Sequence, residues 1–470
     1  YWADNLSRVY EYALIDSFEK VSNDKKAYCA AFMTQYREQD AISGATLVQP
    51  HGSGFVVVNS PAMPLSRNEL DAVYDLPYTR LPHPSYTEHI PALDEVRFSL
   101  VSCRGCYGQC AFCALTFHQG RVIQSRSHES LIAEAKLMTK MPEFKGYIHD
   151  VGGPTANFRQ PACKKQLTKG VCKDRTCLGY SPCKNVEVSH TDYVELLRKL
   201  RRLDGVKRVF IRSGIRYDYL MYDKDETFFK ELIKYHISGQ LKVAPEHIDD
   251  HVLEMMGKPG GELYQRFVRR YKQLNDALGM NQYIVPYFMS SHPGSTLNSA
   301  IALAEYLKAS GQRPEQVQDF YPTPGTLSTC MFYTGLDPRT MKPVYVPVSP
   351  EEKAMQRALM QFFIPKNRPL VRKALRLADR DDLIGSGRNC LVPDVHQSPA
   401  HSGGSSSATK SNHRSQYGAT EHSAIKRKDA RQYTRFGSVE QSRGNGPNRG
   451  VQEKKTGKTS DKRSGVKKHR

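Results

Sequence analysis

No run of about eighteen apolar residues occurs anywhere in the 470-residue chain, so the sequence offers no segment that would cross a membrane as a helix. The first residues, YWADNLSRVYEYALIDSF, lack the basic start and apolar centre of a secretory signal. They also lack an initiator Met, and the expectation is a fragment of something longer. Tyr10, Leu14 and Phe18 stand at helical spacing and predict an amphipathic helix there. Cysteine is sparse outside two places: of eleven, eight are Cys103, Cys106, Cys110, Cys113, Cys163, Cys172, Cys177 and Cys183. Such crowding in a long chain without a signal argues against a disulfide framework and for metal ligation in a reducing, cytoplasmic setting. Residues 394–470 have no apolar periodicity and are rich in Ser, Gly, Lys, Arg and His, so they are predicted to be disordered. Positions 401–470 hold 17 Lys and Arg against 5 Asp and Glu, most of the formal charge of +20. The tail has no RGG repeat, RNP motif or regular aromatic spacing. Any nucleic-acid contact is expected to be weak, non-specific and carried by phosphates.

What is present from residue 95 onward is an alternation of short apolar runs and helical patterns, the mark of repeated βα units. Six strands are predicted at 96–101, 146–151, 208–212, 240–243, 283–288 and 317–320. Helices are predicted at 130–139, 193–203, 227–236, 264–278 and 297–309. Each strand runs into a polar or glycine-bearing stretch: SCRGC, GGPTANF, SGIRYD, APEH, SSHPGST and YPTPGT. Loops at the carboxyl ends of parallel strands are where βα barrels place their chemistry. The expected fold is α/β, a full or partial (β/α) barrel over 95–340 with a Cys-rich insertion at 160–185. Residues 341–393 read as a small helical appendage, EEKAMQRALMQFF and LVRKALRLADRDDLI broken by IPKNRP. Residues 1–94 read as a connecting segment, the remnant of an upstream region, whose prolines in VVNSPAMPLS and YDLPYTRLPHPSY prevent long regular elements.

Within CYGQCAFC, Cys106, Cys110 and Cys113 are separated by three and then two residues on the loop after the first strand. Three thiolates can hold three irons of a cluster and leave one iron open to a cofactor or substrate, whereas an electron-transfer cluster normally has four protein ligands. The bacterial and plant ferredoxin spacings do not fit. Cys103, on the strand end, reads as a packed thiol.

CxxxCxxC after the first strand of such a barrel resembles the radical S-adenosylmethionine (SAM) superfamily. RGCYGQCAFCALTFHQGRVIQSRS, DVGGPTANF, RVFIRSGIRYD, LKVAPEH, QYIVPYFMSSHPGST and QVQDFYPTPGT together resemble its YgiQ-type, or UPF0313, members over residues 1–385. The resemblance implies a further amino-terminal domain, expected to lie upstream of this stretch. The resemblance implies that Cys106, Cys110 and Cys113 ligate a [4Fe-4S] cluster whose open iron chelates SAM. An electron from a reductant such as flavodoxin or ferredoxin would then cleave SAM to a 5′-deoxyadenosyl radical that attacks an unidentified substrate. It also implies that Phe112 lies beside the SAM adenine and that Gly152 and Gly153 let the backbone approach the SAM amino group. Ser213, Arg216 and Glu246, with His247, end strands on the same rim and are candidates for SAM ribose and carboxylate or for substrate. His292 and Tyr321 are candidates for substrate binding or hydrogen relay.

Cys163, Cys172, Cys177 and Cys183 lie in a polar segment with little apolar content to fold around, which a bound metal would stabilise. Their spacing matches no standard zinc hook, leaving zinc and an auxiliary iron-sulfur cluster both open. The alternative to an enzyme is an iron-sulfur or zinc protein that binds nucleic acid through its tail.

Overall fold

The first strand of the barrel, Ser99–Val101, lies parallel to Asp150–Gly152, in register from Ser99 opposite Asp150 to Val101 opposite Gly152. The computed structural model describes residues 1–394; the tail and its nucleic-acid reading lie outside the described residues. The second strand comes in two pieces, and its other piece, Tyr147–Ile148, pairs in parallel with the third strand, Arg208–Val209. The fourth, Gln240–Glu246, pairs in parallel with the fifth, Tyr283–Ser290, which pairs with the sixth, Gln318–Asp319. Between the third and fourth strands the ladder gives way to a bond from Ile211 N to His236 O at 3.0 Å. Strands consecutive in sequence are therefore neighbours in space. Among the described residues no ladder joins the sixth to the first, so the fold is a partial barrel.

Helices His128–Thr139, Thr191–Arg201, Thr227–Glu231 with its continuation Leu232–His236, Gly261–Ala277 and Leu297–Ala309 cover the outside, close to the predicted spans. Leu100, Ile148, Val151, Val209, Leu241 and Val243 from the strands pack against Leu131, Tyr193, Leu197, Phe228, Phe267 and Leu303 from the helices in one buried cluster. Burying a side chain of this size contributes about 1.5–3 kcal/mol, and that stabilisation fixes the strand ends bearing the site. The first strand starts later than expected, because Pro91–Val96 is a helix with proline in its first turn. Helices Asp250–Met256 and Leu327–Thr334 were not foreseen.

Residues 1–94 depart further from expectation. Tyr12–Leu14 is a strand, with Tyr10 and Leu14 exposed, and the helix begins only at Phe18, capped by the Ser17 hydroxyl accepting from Lys20 N at 3.3 Å. A four-stranded sheet orders Trp2–Ala3, Gly54–Val58, Thr46–His51 and Tyr12–Leu14 side by side. Pro50 is tolerated inside Thr46–His51 because the pairing with Tyr12–Leu14 stops at Val48. The proline-rich stretches 59–66 and 75–90 are irregular, as anticipated. Pro350–Met360 and Arg368–Leu377, with Pro365–Asn367 between them, form the appendage and pack Leu359 and Leu375 against Ile301 and Ala304. No helix among the described residues is long and apolar enough to cross a membrane.

Candidate functional site

After the first strand the chain makes a short antiparallel hairpin, Cys103–Arg104 against Gln124–Ser125, from which the cysteine loop springs. Gly105 has φ 86°, and a Cβ there would strike the Val122 carbonyl. Cys106 N donates to Gly120 O at 3.0 Å, and Ala111 N donates to Met256 O at 2.8 Å. Ser328 N donates to Ala111 O at 2.9 Å. Met256 ends one unforeseen helix and Ser328 lies in the first turn of the other, so these two elements hold the loop. Cys113 N closes a turn onto Cys110 O at 3.1 Å, following Gln109 in the left-handed region at φ 50°.

All three thiols of this loop are free and half-buried. Gly108 N donates to Cys106 Sγ at 3.4 Å, and Arg216 Nη1 donates to Cys110 Sγ at 3.2 Å. A Cβ on Gly108 would sit 2.7 Å from Arg216 Nη1 and 3.3 Å from Cys106 Sγ, so glycine is what lets the guanidinium reach the loop. Burial pushes the Cys113 thiol up to about 11, with Cys110 and Cys106 adding repulsion. Burial first, and Cys110 second, raise Cys106. Neighbouring thiols of this kind are stable as thiolates only when a metal takes their charge. Among the described residues no three His, Cys, Asp or Glu side chains are grouped to hold a single metal ion. A cubane spreads its ligands, one to each iron at a separate corner. Thiolates are the ligands that such clusters take, and this loop presents three free thiols. Cys103 is buried, its Sγ donating to Thr155 O at 3.8 Å, with burial pushing it up to about 11; it is the packed thiol expected.

The rim residues fall into two groups. Arg216 is buried and bidentate to Asp218, Nε to Oδ1 at 2.8 Å and Nη2 to Oδ2 at 2.5 Å, while its N donates to Asn157 Oδ1 at 2.9 Å. Its Nη1 faces the Cys110 sulfur, so the guanidinium lies against the cysteine loop. Desolvation opposes its charge, but Asp218 and the two thiols hold it protonated, well above the usual value. Ser213 N and Oγ both bond Asp150, a residue the sequence reading passed over. A Cβ on Gly152 would collide with Ser213 Oγ and Asp150 Oδ2, and one on Gly153 would lie 2.6 Å from Cys103 Sγ. Both glycines are thus required by the protein's own packing next to the cysteine loop.

On the other side, Glu246 ends the fourth strand at φ 70°, buried, 4.0 Å from Lys258 Nζ; burial raises its carboxyl against the pull of Lys258 and Arg216. His247 is buried, its Nδ1 accepting from Asp249 N at 3.0 Å, and burial lowers it to about 4. His292 is buried and lowered to about 3 by desolvation. Neutral His292 donates from Nδ1 to Pro293 O at 2.7 Å and accepts at Nε2 from the Ser328 hydroxyl at 2.6 Å. Phe112 meets the His292 ring edge-on at 6.1 Å. Phe320 turns into the core, and its neighbour Tyr321 stands 81% exposed. Lys258, Asp218 and Asp150 were missed, although Asp218 and Asp150 sit inside the stretches SGIRYD and DVGG.

Three family models match in succession: Radical SAM N-terminal over residues 2–99, Radical SAM superfamily over 100–307, and a domain of unknown function, DUF3362, over 315–465. The last runs into the basic tail, for which the sequence reading found no counterpart. A barrel with three thiols on its first loop and this succession of matches defines a protein of the radical SAM superfamily. A UPF0313 protein of Clostridium perfringens is 59% identical over 397 residues, 84% of this chain and 60% of the relative. One of Clostridium botulinum is 58% identical over 391 residues, 83% and 61%. The chain belongs to the UPF0313 family, and spans about 60% of the length of these relatives. A solved structure of the radical SAM methyltransferase TsrM from Kitasatospora setae, with cobalamin and a [4Fe-4S] cluster bound, is 13% identical with a TM-score of 0.32, over 70% of this chain and 71% of that one. That likeness is too loose to bear on this chain's chemistry.

Proposed function

We propose that Cys106, Cys110 and Cys113 hold a [4Fe-4S] cluster that binds SAM, and that the protein is a radical SAM enzyme acting in the cytoplasm on a substrate yet to be identified. The observation that carries this is the charge-assisted contact from buried Arg216 to Cys110 Sγ at 3.2 Å, within a loop presenting three free thiols. When bound, the cluster and SAM supply one-electron cleavage and a 5′-deoxyadenosyl radical, the electron coming from a protein donor such as flavodoxin or ferredoxin. The chain's own part is positional. Arg216, locked by Asp218, directs positive charge at the sulfurs; Gly152 and Gly153 keep the second strand's end close to the loop. Buried Glu246 and Lys258 supply a polar wall, and Phe112 with neutral His292 an apolar one that keeps water out. His292, with both nitrogens engaged, orients this wall.

The test is anaerobic reconstitution followed by dithionite and SAM. Release of 5′-deoxyadenosine by the intact chain, and its loss in Cys110→Ala, is the expected result. No 5′-deoxyadenosine even with a broad metabolite extract present would overturn the reading.

A further inference from the structure

Cys163, Cys172, Cys177 and Cys183 come from a segment of 21 residues, yet all four line one cavity of about 420 Å³. None is in a disulfide and all are half-buried. Cys183 N donates to Cys177 O at 3.0 Å, and Gln166 N to Cys163 O at 3.1 Å, so backbone bonds tie the loops that carry them. Lys165 Nζ lies 3.7 Å from Cys172 Sγ and Gln166 Nε2 3.7 Å from Cys177 Sγ, each a donor pointed at sulfur. Lys169 and Arg175 add positive charge to the same cavity, in which Lys173 is paired with Glu38 and Asp174 with Arg37. Four free thiols facing one basic cavity suit a thiophilic, charge-neutralising centre.

We infer that these four cysteines ligate a second iron-sulfur cluster. Four free thiols round one cavity of this size, at spacings that match no standard zinc hook, suit a cluster with one ligand on each iron. Four protein ligands leave no iron open, so this centre does not bind SAM. It adjoins the first: Cys106 and Cys177 both pack against the apolar cluster of Tyr107, Phe158 and Tyr219, in which Tyr107 stacks on Phe158 at 3.9 Å. The inference stands independently of SAM chemistry at the first loop.

The experiment loads the full chain with iron and sulfide anaerobically and measures iron, zinc and Mössbauer spectra. About eight irons per chain are expected for two cubanes, with one spectral population altered by SAM and the other indifferent. The Cys106→Ala, Cys110→Ala, Cys113→Ala chain should retain about half the iron, and so should Cys163→Ala, Cys172→Ala, Cys177→Ala, Cys183→Ala. Intact protein with a single iron population, or with one zinc lost in the second variant, would overturn it. Because the first measurement uses unmodified protein, misfolding of a variant cannot rescue the idea. Failure here with SAM cleavage intact would leave the first site's reading untouched.

Discussion

Arg216 shows how little of a site a single position reveals. Its place in SGIRYD marked it as a rim residue, but its partner two residues on, and its reach back to Cys110, depend on the chain turning through buried backbone between Asn157 and Asp218. Arg216→Met leaves the Asp218 carboxylate buried and unpaired, a loss of about 3–5 kcal/mol; adding Asp218→Asn should restore much of the melting temperature. If both variants melt alike, the pair is not what holds this corner. Gly152→Ala places a methyl against Ser213 and Asp150 and should cost about 1–3 kcal/mol, checked by urea denaturation, with Gly214→Ala, where nothing lies within 4 Å, as the mild comparison. The three cysteines were legible because ligand spacing is local. That Tyr321 stands exposed was not legible, because a rim loop gives no sign of which way its side chains turn.

Among the elements, the long helices could be read because each runs long enough for its apolar period to repeat, and the short barrel strands because each apolar run opens into a polar or glycine-bearing stretch. Asp250–Met256 and Leu327–Thr334, seven and eight residues, are too short for that signal. They matter all the same, since both end on the cysteine loop. Leu327–Thr334 begins at Thr326, whose hydroxyl accepts from Thr329 N at 3.2 Å. Thr326→Ala should remove about 1 kcal/mol and loosen the Ser328–Ala111 bond beside Cys110. The expected readout is faster iron loss from the reconstituted protein under a chelator, with far-ultraviolet circular dichroism unchanged. The opening helix predicted around Tyr10 failed because a three-residue strand satisfied by Thr46–Val48 can occupy the same sequence.

For the molecule as a whole, four buried histidines, His190, His236, His247 and His292, are lowered by desolvation and contribute to its acid sensitivity. His236 and His247 are lowered to about 4 and His292 to about 3, all chiefly by desolvation. Above about pH 6.5 the histidines are neutral in both folded and unfolded chains and impose no penalty. As pH falls from there toward 4, the unfolded chain takes up protons that the folded one refuses. His236, His247 and His292 then each remove about 1.4 kcal/mol per pH unit. The melting temperature should drop between pH 6.5 and 4, and His292→Gln should make that drop shallower. An unchanged slope would mean that His292 is accessible to protons in the folded protein.

The lysine-rich insertion is pinned from upstream. Lys173 Nζ bonds Glu38 Oε1 at 2.7 Å, Arg37 forms an ion pair with Asp174 at 2.9 Å, and Gly170 passes so near Asp40 that no Cβ would fit. Glu38 and Lys173 are 135 positions apart. The insertion is therefore a seam, closed by residues belonging to a different stretch of chain. Lys165, Lys169 and Arg175 offer trypsin ready targets there, and Glu38→Ala should open the seam and speed cutting between 163 and 183 while the barrel resists. An injury near residue 40 would thus be felt first at thiols far downstream.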